Sequence, residues 1–329
     1  MYNQFFGLQR SPFNLTPDPT LLFMPPQHKE ALAGLTYAIL HRKGFVVLIG
    51  DAGTGKTTLL SRTLQQFQNS RIHSSVILNP TLTVSEFLEL ALLDFGIREV
   101  PTSKAQRLMR LQQMLLEDHL AKRVATLVID EAHKLSPAVL EEIRLLSNFE
   151  FSDQKLLQIV LAGQNELGDV LNETGLRQLK QRIAVRLSIG PLAQGEVEQY
   201  VRFRWMKSGG GTAVPFSSGA FEAIASWSQG IPRLINSICD NALTTAFGAD
   251  RKAIGAEDIS TVAKDLDLKV PTSIITQPQP PNPKTAVRIA GAEIAPIRTP
   301  HAIPEMPAPS FVTKLGRKLG LISPTRQYE

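Results

Sequence analysis

A chain of 329 residues, 43% of them hydrophobic, can build one large or two modest domains around a real core. Its single cysteine, Cys239, excludes an intramolecular disulfide, and no apolar run approaches the roughly 18 residues of a membrane span or the long stretch of a signal peptide. Of the net charge of +5, residues 271–329 carry +4, from seven Lys or Arg against three Asp or Glu. The remainder is almost neutral and offers no broad basic face for nucleic acid, and a cytoplasmic location is expected.

The opening segment, 1–43, carries Phe5, Phe6, Pro12, Phe13 and the turn-rich Thr16–Pro19. A helix is predicted to follow over about 28–41, with Ala31, Leu32, Leu35 and Ile39 on one face. From 45 to 190, short apolar runs at 45–49, 75–79, 125–130, 157–163 and 184–189 alternate with helical patterns. Near-continuous apolar runs of that length read as strands buried on both faces. The expected fold is therefore α/β, a parallel sheet covered by helices over 1–190. From Pro191 to about Leu268 the strand patterns vanish, and helices are predicted over 197–206, 218–226, 233–245 and 256–266. That is a small helical lid domain, 191–268, with Cys239 on an apolar face as core.

Ten of the forty residues 271–310 are proline, so 269–310 is expected to be an extended linker. The segment 311–329 returns to helical periodicity. Phe311, Val312, Leu315, Leu319 and Ile322 fall within about 100° of arc, with Lys314, Arg317 and Lys318 outside it. Such a basic amphipathic segment can lie peripherally on the inner, anionic face of a membrane or dock on a partner. Gly316 and Gly320 each cost about 1 kcal/mol of helicity, which favours a solvated end when nothing is bound.

Gly50, Asp51, Ala52, Gly53, Thr54, Gly55, Lys56 and Thr57 spell G-x-x-x-x-G-K-T, directly after the 45–49 strand and at the start of a helix with Leu60, Leu64 and Phe67 on its apolar face. Glycines there let the backbone turn tightly and aim N–H groups, including that of Thr58, at phosphate oxygens. Lys56 is expected to reach the β- and γ-phosphates of ATP, and the Thr57 hydroxyl to ligate Mg2+. About seventy residues on, a strand ends in Asp130–Glu131, at the sheet edge where open α/β folds bind ligands. Asp130 is expected to help hold magnesium, and Glu131 to orient and deprotonate the attacking water. After the next strand, Gln164 is the first choice and Asn165 the second for a hydrogen bond to the γ-phosphate or that water. Residues 130–133 read DEAH, but 191–329 cannot supply the second sheet domain of such helicases, so His133 reads as a packing or supporting residue.

Together, P-loop, Asp-Glu strand, polar strand end and helical domain resemble the AAA+ ATPases over about 1–268. The resemblance implies that Arg182, at a helix end before the last strand, is an arginine finger acting in trans, with Arg186 next in line. It also implies that Arg233, in the Gly-Ile-Pro-Arg run at 230–233, faces the γ-phosphate, and that the N-terminal segment shapes the adenine pocket. More narrowly, FFGLQRSPFNLTPDP, HKEALAGLTYAI, GFVVLIGDAGTGKTTL, LAGQNEL and GIPRLIN resemble the general secretion pathway protein A (ExeA-like) ATPases and similar ATPases of exosortase-linked loci. Typical secretion-pathway members continue into a transmembrane helix and a peptidoglycan-binding domain, neither of which is legible here. The resemblance implies an ATPase that drives conformational work or assembly in secretion or envelope export. It would work as a homo-oligomeric ring or arc, a hexamer among the options, with envelope-assembly partners. The competing class is a DNA-directed ATPase of the transposition-regulator or initiator type. A nucleotide-gated switch that hardly turns over is a third, against which Glu131 argues.

Overall fold

In the computed structural model, which describes residues 2–16, 18–66, 72–269 and 288–289, the five apolar runs become five parallel strands. A single turn, α1 (Tyr2–Phe5), precedes α2 (Pro26–Leu40), whose entrance is set by Pro25 and Pro26, since proline suits the first helical turn and not the interior. Strand β1 (Phe45–Ile49) leads to α3 (Lys56–Gln65) and then β2 (Ile72–Ile77). Helix α4 (Val84–Asp94) opens on a reciprocal cap, with Glu86 N–H donating to Thr83 Oγ1 at 3.3 Å and Thr83 N–H donating to Glu86 Oε2 at 2.8 Å. Next come α5 (Lys104–Leu120), β3 (Val124–Ile129) and α6 (Pro137–Leu146), the last capped by Ser136. A two-stranded ribbon, β4 (Glu150–Phe151) and β5 (Gln154–Lys155), precedes β6 (Leu157–Gly163). Short helices α7 (Glu166–Val170) and α8 (Arg177–Gln181) lead to β7 (Ile183–Ser188). Then follow α9 (Gln194–Lys207), α10 (Ser218–Ser228), α11 (Pro232–Gly248) and α12 (Ala256–Asp265), and β8 (Arg288–Ile289) adds an antiparallel pairing to β7.

The strand order is β2-β3-β6-β1-β7-β8. Side chains alternate across the central strands, and both faces are buried. Val47, Leu127, Ile129 and Leu161 pack with α4, α5 and α6 on one face. Val46, Leu48, Val128, Val160 and Leu187 pack with α2 and α3 on the other. Each such side chain, fully removed from water, contributes about 1.5–3 kcal/mol. A third core, around Val201, Trp205, Ile224, Ile238 and Cys239, is built by α9–α12. Among the described residues no helix is long and apolar enough to cross a membrane.

Two features depart from the sequence expectation. The second strand spans Ile72–Ile77 rather than 75–79, because it lies at the sheet edge, starts on polar His73–Ser75 and leaves Leu78 61% exposed. An apolar-run criterion misses such a start. The opening segment, grouped with the sheet by sequence order, instead sends Leu8 and Phe13 into the α9–α12 core. Arg204 Nε donates to Pro12 O at 2.6 Å and Gln9 N–H to Ser208 O at 2.9 Å, which fastens it there. Phe67, nearly all of the linker 269–310 and the segment 311–329 lie outside the described residues.

The β2 edge is tied down by one buried carboxylate. Asp118 accepts from His73 Nδ1 at 2.6 Å and from Arg123 Nε at 2.8 Å, while His73 Nε2 donates to Phe95 O at 3.1 Å, at the C-terminal end of α4. Both ring nitrogens thus face acceptors, which favours the imidazolium. The hydrogen bond to Asp118 raises the His73 pKa, against the opposing effect of burial. A raised folded pKa contributes stability that is complete below the unfolded value and is lost as pH rises through the folded one. The stability difference between the intact chain and His73→Gln in urea should therefore shrink from about pH 6 to about pH 8, starting from about 1 kcal/mol. A difference that widens over that range would mean the ring is held neutral.

Candidate functional site

Strand β1 ends at Ile49, and the loop 50–55 leads directly into α3, whose first residue is Lys56. Lys56, almost fully buried, folds back so that Nζ donates to Gly50 O at 2.7 Å and Asp51 O at 3.0 Å. Burial pushes its pKa down, opposed by Glu131, Asp130 and Asp51 nearby. With two of its three N–H donors on carbonyls, the ammonium keeps one for a phosphate oxygen.

Strand β3 delivers the carboxylates. Asp130 is buried, its N–H donates to Ile77 O at 2.9 Å, and its Oδ2 accepts from Thr57 Oγ1 at 2.5 Å. Glu131 adopts the left-handed conformation, φ 52° and ψ 33°, at the entrance to a 3-10 turn, Ala132–Lys134. For a non-glycine residue that geometry costs of order 1 kcal/mol, and here it falls on a carboxylate facing the site.

Strand β6 lies between β1 and β3, so the residues after it flank both motifs. Gln164 lines the cavity beside Glu131. Asn165 instead turns toward the phosphate loop, its Nδ2 donating to Asp51 Oδ1 at 2.5 Å. Two further elements brace the loop. His28, buried at the first turn of α2, donates from Nε2 to Thr54 O at 3.0 Å, and burial lowers its pKa, which keeps the ring neutral. From α11, Arg233 N–H donates to Gly53 O at 3.3 Å. Gly53 has φ +79°, and a Cβ on it would stand 2.8 Å from Arg233 Cβ and 3.1 Å from Ile231 Cγ2. Only glycine lets the helical lid approach so closely.

These parts enclose a cavity of about 540 Å³. Ala52–Thr58, Glu131, Lys134, Gln164 and His28 line one side, Asn14–Thr16 and Leu21–Phe23 a second, and Leu192, Tyr200, Pro232, Arg233 and Asn236 the third. Gly50, Asp51 and Asp130 are not among the lining residues. Arg182 does not line it: its Nη1 donates to Ser147 Oγ at 2.8 Å, away from this loop, and Arg186 on β7 is likewise absent from the lining. Sequence reasoning did not single out His28, the Asp51–Asn165 link, or the lid side chains Tyr200 and Asn236. A histidine in a helix start or a tyrosine in a helical repeat of apolar residues carries no local signal of what it meets. Among the described residues no three His, Cys, Asp or Glu side chains form a metal cage. The Thr57 hydroxyl and Asp130 carboxylate, already in contact, are two hard oxygen donors of the kind magnesium takes alongside water and phosphate, so the residues fit that ion.

A family model described as an AAA domain matches residues 39–171. General secretion pathway protein A of Aeromonas hydrophila is 42% identical over 271 residues, which is 81% of this chain and 48% of that protein. The chain thus spans about half the length of that relative. Among solved structures, the ORC1 protein of Aeropyrum pernix, in complex with DNA, superimposes with a TM-score of 0.60 at 16% identity, covering 78% of this chain and 69% of that one. The ORC2 protein of the same organism, in its ADPNP-ADP complexes, gives 0.58 at 15% identity, covering 76% and 72%. At such identities the likeness is one of fold.

The contact between lid and loop is directly testable. Gly53→Ala should destabilise the chain by about 1–3 kcal/mol in urea unfolding, since it adds both strain at positive φ and a clash with the Arg233 and Ile231 side chains. Gly211→Ala, where an added Cβ meets nothing within 4 Å, should change little. Equal stability of the two variants would show that the lid is not held against Gly53.

Proposed function

We propose, on the premise that this chain is an AAA+ P-loop protein resembling general secretion pathway protein A, that it binds ATP with magnesium in this cavity and hydrolyses it. The work done is conformational change or assembly in a secretion or envelope export system. The observation that carries the reading is that Lys56, Glu131, Gln164 and Arg233, from four separate elements, line one cavity, with the Thr57–Asp130 contact at its edge.

In this mechanism the N–H groups of the loop and the Lys56 ammonium hold the phosphates. Thr57 and Asp130 hold magnesium, which neutralises charge on the β- and γ-phosphates when bound. Glu131 orients a water and takes its proton. The water oxygen bonds to the γ-phosphorus while the bond to the bridging oxygen breaks, and ADP departs with that electron pair. Gln164 steadies the water or the γ-phosphate, and Arg233 reaches the γ-phosphate from the lid. Asn165, committed to Asp51, serves the loop. Arg182, pointing away from its own loop, supplies positive charge to the site of a neighbouring subunit in a homo-oligomer, with Arg186 as the alternative.

The secretion reading is favoured over a DNA-directed one because it is supported by 42% identity, against 15% and 16% for the origin-recognition proteins. The near neutrality of residues 1–270 points the same way. Salt-dependent DNA binding by residues 1–268 would reverse the ranking.

Lys56→Ala should abolish detectable binding of a fluorescent ATP analogue. Glu131→Gln should bind it normally and lose hydrolysis by about 10²–10⁴-fold, because the pocket remains and only the base is gone. Equal loss of binding in both would make Glu131 structural.

Arg182→Ala should bind ATP and hydrolyse it poorly, and mixing it with Lys56→Ala should recover activity. In the mixture some interfaces pair an intact loop with an intact arginine. If no mixing ratio restores hydrolysis in a steady-state assay, Arg182 does not act in trans, and Arg186→Ala is the variant to test next.

A further inference from the structure

We infer that His133 is a positioning residue that couples the Glu131 carboxylate to Gln164, an inference that rests on the hydrolytic reading above. Its imidazole sits between the two groups. The Gln164 backbone N–H points at Nδ1 across 3.4 Å, and Nε2 lies 3.6 Å from Glu131 Oε2 and 3.5 Å from the Gln164 side-chain amide. With Nδ1 as the acceptor, the ring hydrogen resides on Nε2. Turning the Gln164 amide by 180° places its oxygen before that hydrogen, so one N–H serves both the carboxylate and the amide.

Local backbone holds this arrangement. The turn after Glu131 is closed by Lys134 N–H donating to Glu131 O at 2.9 Å and Leu135 N–H donating to Ala132 O at 3.2 Å, which fixes residues 131 and 133 as a unit. Gly163 ends β6 without a side chain, and a Cβ there would come within 3.3 Å of His133 N, so the turn can rest against the strand end. The His133 side chain is 13% exposed, whereas Lys134, whose Nζ is 3.4 Å from the same Glu131 oxygen, is 53% exposed. The histidine is therefore the ordered neighbour of the carboxylate, and the lysine the solvated one. Apolar packing in this turn is supplied by Ala132, fully buried, while both nitrogens of His133 face polar groups. Contacts of 3.4–3.6 Å are long for hydrogen bonds, as expected of a site that tightens around its substrate.

The test compares variants of the full chain for turnover, ATP affinity and melting temperature. His133→Leu, which keeps the bulk and removes both nitrogens, should lower kcat by at least about tenfold with ATP affinity within about threefold. His133→Gln, which returns an amide N–H toward Glu131, should recover to within about threefold of the intact chain, while His133→Asn, which reaches only toward Gln164 N, should stay impaired. In the Glu131→Gln background His133→Leu should cost little more, since the two act as a unit. Turnover of His133→Leu within about twofold of the intact chain would overturn the inference, as would equal losses in the Leu, Gln and Asn variants that track their melting temperatures. If the Leu variant does not fold, the Gln against Asn comparison decides. Glu131→Gln is assayed alongside: if it turns over like the intact chain, the hydrolytic reading itself fails, a result distinct from failure at His133.

Discussion

Strand β6 hydrogen-bonds to β1 on one side and to β3 on the other, so the chain leaving its C-terminal end has the phosphate loop on one flank and Asp130–Glu131 on the other. Two consecutive residues then divide the work. Asn165 bonds to Asp51 in the loop, and Gln164 meets the His133 ring beside Glu131. A parallel sheet permits this because all its strands end at the same edge, and because the main-chain registers Ile49↔Gly163 and Ile129↔Leu161 leave little freedom for sliding. A one-residue slip would turn Val160 and Ala162 from one buried face to the other, a change the two packed helical layers would oppose.

The second support comes from outside the sheet. The opening segment and α9–α12 share one core through Leu8 and Phe13, and both line the cavity. The lid in turn meets the loop at the Gly53–Arg233 contact, and α2 meets it at the His28–Thr54 bond. A ligand in the cavity would touch sheet, opening segment and lid at once. Any difference in its affinity between lid positions would therefore become a force on the lid, which is how the proposed hydrolysis would be coupled to conformational work.

The local elements were legible because their signals are local. The run 45–49 is five apolar residues bounded by glycines, and it is β1 to the residue; 157–163 is likewise β6. The glycine-rich turn at 50–55 and the acidic pair after β3 could be placed at strand ends from neighbouring residues alone. Where burial is one-sided the signal weakened, as at β2, which is polar over His73–Ser75 and whose apolar Leu78 lies beyond the strand in solvent. The opening segment was placed with the sheet because it precedes it in sequence, although Phe13 is fully buried in the other core.

By itself, then, the sequence determined the α/β class, four of the five strand runs, the helical region after 190 and the positions of the loop and the acidic pair, all of which follow from local periodicity and spacing. The tertiary structure alone decided what lies beside what. His28 and Thr54 are 26 residues apart, Gln164 and His133 are 31, and Asp51 and Asn165 are 114. Those pairings depend on strand order and on shape matching between layers, which no local pattern encodes, because a histidine or asparagine at a helix start looks the same whether it meets solvent or a phosphate loop.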